Sequence, residues 1–218
     1  MPAVEESNGF THPTDAIVYP NTVIGRQSVL EAFVILGVPP RGHNAGDLAL
    51  VIGDQAHIRS HTVIYAGNVI GRRFETGHSV LVRESNQIGD DVSIGSHSVI
   101  EHHVRLADGV RIHSNAFIPE FSILETGAWV GPNVVLTNAV YPLSPGAKTD
   151  LAGPVLREGA KIGANATLLP GVVIGRDALV GAGAVVVSDV PDGKVVVGNP
   201  ARVVHDIGDI TAYRSGTK

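Results

Sequence analysis

Ten histidines and no cysteine set the chemistry open to this 218-residue chain. Imidazole can accept a proton near neutral pH or ligate a metal, whereas thiolate catalysis, disulfides and cysteine-ligated zinc are excluded. Two groupings stand out by spacing. His102, Glu120 and Asn138 stand eighteen residues apart, each two places after an aliphatic side chain: Ile100, Ile118 and Leu136. A carboxylate beside an imidazole orients the ring and raises its basicity. His61, His97 and His102 are spaced by thirty-six and five, and three histidines can hold a zinc ion. His78, His103 and His113 read as solvated turn residues.

The elements that must position these residues are written as a repeat. Stepping by six from Ile52 to Leu136 meets fifteen positions, and only Thr76 among them is not aliphatic. A second run in phase goes from Leu156 to Val186, and a shorter one holds Val18, Ile24, Leu30 and Leu36. Such a period marks a stacked solenoid rather than a helical or flat-sheet domain. Four residues after the aliphatic sits a small or β-branched side chain, as at Ala56, Thr62, Ser98, Ala128 and Ala184. It lies two places before the next aliphatic, so both point into a narrow interior. The residue after the aliphatic is often glycine, as at Gly53, Gly95 and Gly181, which suits turns needing unusual dihedrals. Asn68, Phe74 and Asn86 break the rule, predicting an irregular coil near residues 68–86.

The phase slips twice. Sixteen residues separate Leu36 from Ile52, and twenty separate Leu136 from Leu156. The reading is a lead-in over residues 1–16 and a solenoid over 17–191, with an irregular excursion at 37–51 and a long loop at 137–155. A cap and tail over 192–218 then close the open end, where unpaired strand edges invite association. If the second insertion is two residues, Leu156 shares the face of Leu136. If it is eight, Ile162 does, and Ala164 and Ala182 join the column of His102.

These hexads resemble the hexapeptide-repeat family over roughly residues 17–200. The resemblance implies an all-β fold, a left-handed parallel β-helix with three six-residue faces per coil. The run from Gly159 to Gly175, with Val180-Gly-Ala-Gly-Ala-Val-Val and Gly198-Asn-Pro-Ala-Arg, looks like the C-terminal signature of hexapeptide acyl-CoA transferases. It implies acetyl-CoA as co-substrate, a homotrimer and pantetheine lying between two subunits. Ala164, Gly181 and Ala182 match the small turn residues that touch it, and a turn N–H there could receive an oxyanion. Arg202 and Lys194 match the cations near the phosphates of CoA. The phrase Ser98-Val-Ile-Glu-His102-His103 is similar to the base-bearing segment of bacterial nucleotide-sugar N-acetyltransferases. That similarity implies His102 as base, Glu120 as its orienter and Asn138 as a contact to an amino sugar. It also favours the eight-residue insertion. One departure is Tyr141-Pro142 where simpler acetyltransferases of the family carry His-Pro.

The spacing of His61, His97 and His102 also matches the ligands of γ-class carbonic anhydrases, which share the fold. Here, however, His61 and His97 fall one place late in the turn. An O-acetyltransferase acting on a small hydroxyl acceptor is a further alternative, and a non-catalytic scaffold another. A formal charge of -5 with scattered Lys and Arg excludes the basic footprint of a nucleic-acid binder. The N-terminus lacks the order of a signal peptide, and the longest apolar run, from Ala178 to Val187, is far short of the ~20 residues of a membrane span. The chain therefore reads as a soluble cytoplasmic acyltransferase that binds neither membrane nor metal.

Overall fold

The computed structural model describes residues 3–5 and 11–213. Parts of the lead-in and residues 214–218 of the tail lie outside the described residues. The chain winds into a left-handed parallel β-helix of triangular section. Its three faces are sheets of nine, eight and twelve strands, most only two residues long. We name them in the order in which the chain visits them. Face I includes Val99–Ile100 and Phe117–Ile118, face II Arg105–Leu106 and Ile123–Leu124, and face III Arg111–Ile112 and Trp129–Val130. Through the middle, successive rungs pair at eighteen residues, as in Ile100↔Ile118 and Ile112↔Val130.

The repeat works because each hexad sends two side chains inward and the rest out. The aliphatic column from Ile52 to Val186 is almost wholly buried, and so is the column of small residues such as Ala116, Ala128, Val134 and Ala166. Apolar burial at ~25 cal/mol per Å2 is the main stabilising term, and here it is distributed evenly along the axis. The glycines after the aliphatics have a reason other than the expected dihedrals. A Cβ on Gly163 would sit 2.5 Å from the Ala182 nitrogen, and one on Gly95 2.4 Å from the Ser114 nitrogen. Close approach of the next rung, not a positive φ, selects glycine there. Positive φ falls two places later, at residues including His61, His97, His103, Asn115, Phe121 and Asn133.

The coil expected to be irregular is regular: Val69 pairs with Val51 below and Gln87 above. Phe74 is fully buried, and Asn68 and Asn86 replace the small residue by serving the backbone. Asn68 Oδ1 accepts from the Asn86 N–H at 2.8 Å, and Asn86 Oδ1 from the Val104 N–H at 2.7 Å. Both side-chain amides donate to the Arg83 carbonyl. A buried amide with its bonds made fits where an apolar group was expected.

The insertions are read from register. Ile24 pairs with Ile52, twenty-eight residues on, so ten are extruded between face I and face II. Leu136 pairs with Leu168, thirty-two on, so the long loop extrudes fourteen, correcting both the two- and the eight-residue readings. At the C-terminal end Lys194–Val197 adds parallel to face III, and Arg202–Asp206 folds back antiparallel upon it. Short 3-10 turns follow at Ile207–Asp209 and Thr211–Tyr213. No helix among the described residues is long and apolar enough to cross a membrane.

Candidate active site

The corner between faces I and II gathers the first candidate group. Residues two places past the face I aliphatics stack there, so Glu84, His102, Glu120 and Asn138 form a column. His102 Nε2 lies 3.3 Å from Glu120 Oε1, and Asn138 Nδ2 donates to Glu120 Oε2 at 2.5 Å. The loop leaves the corner at this point, and the Ala152 N–H bonds back to the Asn138 carbonyl at 2.9 Å to close it.

Sequence reasoning missed five neighbours. His103 places Nδ1 2.7 Å from His102 Nδ1, and its ring lies 5.7 Å from that of Phe121. Arg83 pairs with Glu84 at 2.9 Å and with Glu101 at 3.3 Å. Partial burial would raise the Glu84 carboxyl, but the Arg83 hydrogen bond, with the fields of Arg83 and His102, holds it below the ordinary range. The signal was available, because Glu84 stands eighteen before His102 and Phe121 eighteen after His103.

The second group sits on a different corner, between faces III and I. Ala164 and Ala182 are stacked there, with Gly163 and Gly181 beside them. Because the insertion is fourteen residues, this column continues Ser114 and Pro132 and never meets His102 within one chain. At the same corner four coils below Ala164, the His78 N–H is taken by Ser96 Oγ of the next rung. Ala182, stacked over Ala164, has no such acceptor, so the Ala164 N–H has no partner among the described residues, and the Ala182 N–H has none either. A small side chain thus leaves a backbone donor open, the arrangement an oxyanion needs.

The two cations fall on the C-terminal hairpin. Lys194 Nζ is held by Asp206 across the strands. Arg202 is exposed, donates to the Ala201 carbonyl at 2.8 Å, and lines a groove of about 450 Å3 with Val186, Ser188 and Asp189. Two of the three candidate zinc ligands, His61 and His97, hold left-handed turn positions two coils apart on the corner between faces III and I, while His102 is on the other. Among the described residues Glu101, His102 and Glu120 bring three potential ligand atoms within 4.8 Å of one another. Glu101 is already paired with Arg83, and Glu120 with Asn138.

The solenoid and its corners define a class: a β-helix of hexapeptide repeats with polar clusters beside an apolar face. The model of the bacterial transferase hexapeptide (six repeats) matches residues 87–120 and 153–188. Over these two segments the chain is similar to the hexapeptide-repeat family. It is 36% identical over 94 residues to the galactoside O-acetyltransferase of Lactococcus lactis, covering 40% of this chain and 45% of that one. It is 43% identical over 82 residues to the 2,3,4,5-tetrahydropyridine-2,6-dicarboxylate N-acetyltransferase of Staphylococcus aureus, covering 37% of this chain and 31% of that one. The chain thus spans less than half the length of these curated relatives. In fold it is similar to the UDP-N-acetylglucosamine acyltransferase of Campylobacter jejuni, with TM-score 0.77 and 14% identity over 94% of this chain and 78% of that one.

Proposed function

We propose that this chain is a CoA-dependent acyltransferase that moves an acetyl or other short acyl group to the amino group of a nucleotide-linked amino sugar. One observation carries the reading: the two candidate groups flank the same face. The outward column of face I reads Ile17, Ile35, Val63, Leu81, Val99, Phe117 and Val135, with Ile17 51% and Val135 40% exposed in the single chain. Burying that column against further copies, as a homotrimer, sets the Ala164 and Ala182 corner of one protomer against the His102 corner of the next.

In that cleft the pantetheine of acetyl-CoA lies along Ala164, Gly181 and Ala182 toward the His102 corner; the Ala182 N–H, nearly four coils of about 4.8 Å from His102, is too far along the axis to receive the oxyanion. Arg202 is the better phosphate contact, since Lys194 is already neutralised by Asp206. The His102 and His103 pair takes up the proton lost by the attacking amine, and Glu120 stands beside His102 to stabilise the resulting imidazolium. Asn138 holds Glu120 with its amide nitrogen and offers its Oδ1 to the sugar at the root of the loop.

The test is thiol release from acetyl-CoA with a panel of UDP-, GDP- and dTDP-linked amino sugars, run beside galactosides and other hydroxyl acceptors. Turnover confined to the amino sugars supports the reading. Turnover confined to hydroxyl acceptors replaces it with the O-acetyl alternative, which the Lactococcus relative favours.

A further inference from the structure

Both ring nitrogens of His102 face a polar group. Nε2 faces Glu120 Oε1 at 3.3 Å, and Nδ1 faces His103 Nδ1 at 2.7 Å. An ionised carboxylate only accepts, so the arrangement suits a proton on His102 Nε2, and the relay below requires one there. With both rings neutral, His102 Nδ1 is then an acceptor, and the hydrogen between the two Nδ1 atoms belongs to His103. His103 is therefore left with its lone pair on Nε2.

Exposure points the same way. His102 is half-buried, whereas His103 is exposed in a left-handed turn with φ +59. A groove of about 390 Å3 is lined by Ser85, Gln87, His103, Arg105, Phe121 and Ile123, and His102 is not among its walls. The tilted ring of Phe121 at 5.7 Å backs His103 on one side. The charged groups around the pair are Glu84, Glu101 and Glu120, with Arg83 on the two former and Arg105 in the groove.

We propose that His103 Nε2 is the atom that takes the proton from the acceptor, and that His102 and Glu120 stand behind it as a relay. This rests on the acyl-transfer reading. The amine nitrogen bonds to the thioester carbonyl carbon while its proton passes to His103 Nε2. The Nδ1 proton of His103 moves to His102 Nδ1, and the imidazolium so formed faces Glu120. When the C–S bond breaks, its electron pair goes to sulfur. The two proton shifts then reverse, so that the thiolate leaves as free CoA thiol. His103 is the catalytic residue in this scheme, and His102 is a positioning residue acting through it.

The variant that tests it is His103→Gly, since glycine suits the left-handed turn and leaves space for a small base. With the wild type active on an amino sugar, kcat should fall about a hundredfold while KM for acetyl-CoA changes less than about threefold, and added imidazole should restore at least about a tenth of the loss. Retention of kcat within about threefold, or a loss that imidazole does not rescue, overturns the proposal and leaves the acyl-transfer reading standing. A wild type that releases no thiol with any acceptor overturns that reading instead. Independently of turnover, long-range nitrogen-15 correlation spectra of the ligand-free protein should show His103 protonated at Nδ1 and His102 at Nε2. The opposite tautomers overturn the relay even in an active enzyme.

Discussion

Glu120 is held from two sides, by the Asn138 amide on Oε2 and by His102 Nε2 on Oε1, so Asn138 and His102 are coupled through one carboxylate although two coils separate them. The amide uses one of its two N–H donors to orient the carboxylate and keeps the other, with Oδ1, for a ligand.

Replacing Asn138 by aspartate sets a second negative charge against Glu120 at hydrogen-bond distance. Repulsion should displace the carboxylate from His102 and lower kcat about tenfold or more, while Asn138→Ala should cost less. Steady-state thiol release decides it, and equal kcat for the Asn138→Asp variant and the wild type would remove Asn138 from the site.

Two half-sites on different corners predict complementation between chains. His102→Ala lacks one half and Ala182→Trp blocks the other. Each alone should lose about a hundredfold in activity, while mixed oligomers made by co-expression should recover a part of it, because some clefts then hold two intact halves. Failure of mixing to raise the rate above both parents would place the whole site in one chain.

The asparagine ladder predicts a stability effect far from the chemistry. Asn86→Leu removes the acceptor of the buried Val104 N–H and a donor to the Arg83 carbonyl. An unsatisfied buried group costs about 1–3 kcal/mol, so urea unfolding should show a loss of about 2–4 kcal/mol. A neutral or stabilising result would mean that the coil repacks around the leucine.

His113 rests against Trp129 with ring centroids 4.7 Å apart, and burial, helped by Arg111, pushes its pKa below the ordinary imidazole value. The unfolded chain then takes up the proton first. The neutral ring's contribution is full above about pH 6.5 and is lost as the pH falls through the lower folded value. Because Trp129 is the only tryptophan, its fluorescence should report the titration as quenching with a midpoint below about 6.5. The step should vanish in His113→Gln.

Much of the architecture was legible without coordinates. Aliphatic and small residues alternate at a fixed spacing, and a side chain two places from another in a strand points the same way, so the triangular rung follows from local geometry. The same arithmetic stacks His102, Glu120 and Asn138, since the phase is unbroken from His102 to the root of the long loop, where Asn138 stands. His103 looked like a solvated turn residue because its contact with His102 depends on ring orientation, which no spacing encodes. Asn68 and Asn86 looked like errors in the repeat because polarity alone does not show whether a buried amide is satisfied.

What the amino-acid order determined by itself is the rung: which side chains go in, where the corners fall and which residues stack between breaks. What only the tertiary structure decided is how the coils rejoin after the long loop, and hence that Ala164 and Ala182 stand on a different corner from His102. The reason is that re-entry is set by backbone bonds to a distant rung, such as the Thr137 N–H to the Leu168 carbonyl. An extruded loop can end on any of the three faces without disturbing the repeat on either side of it.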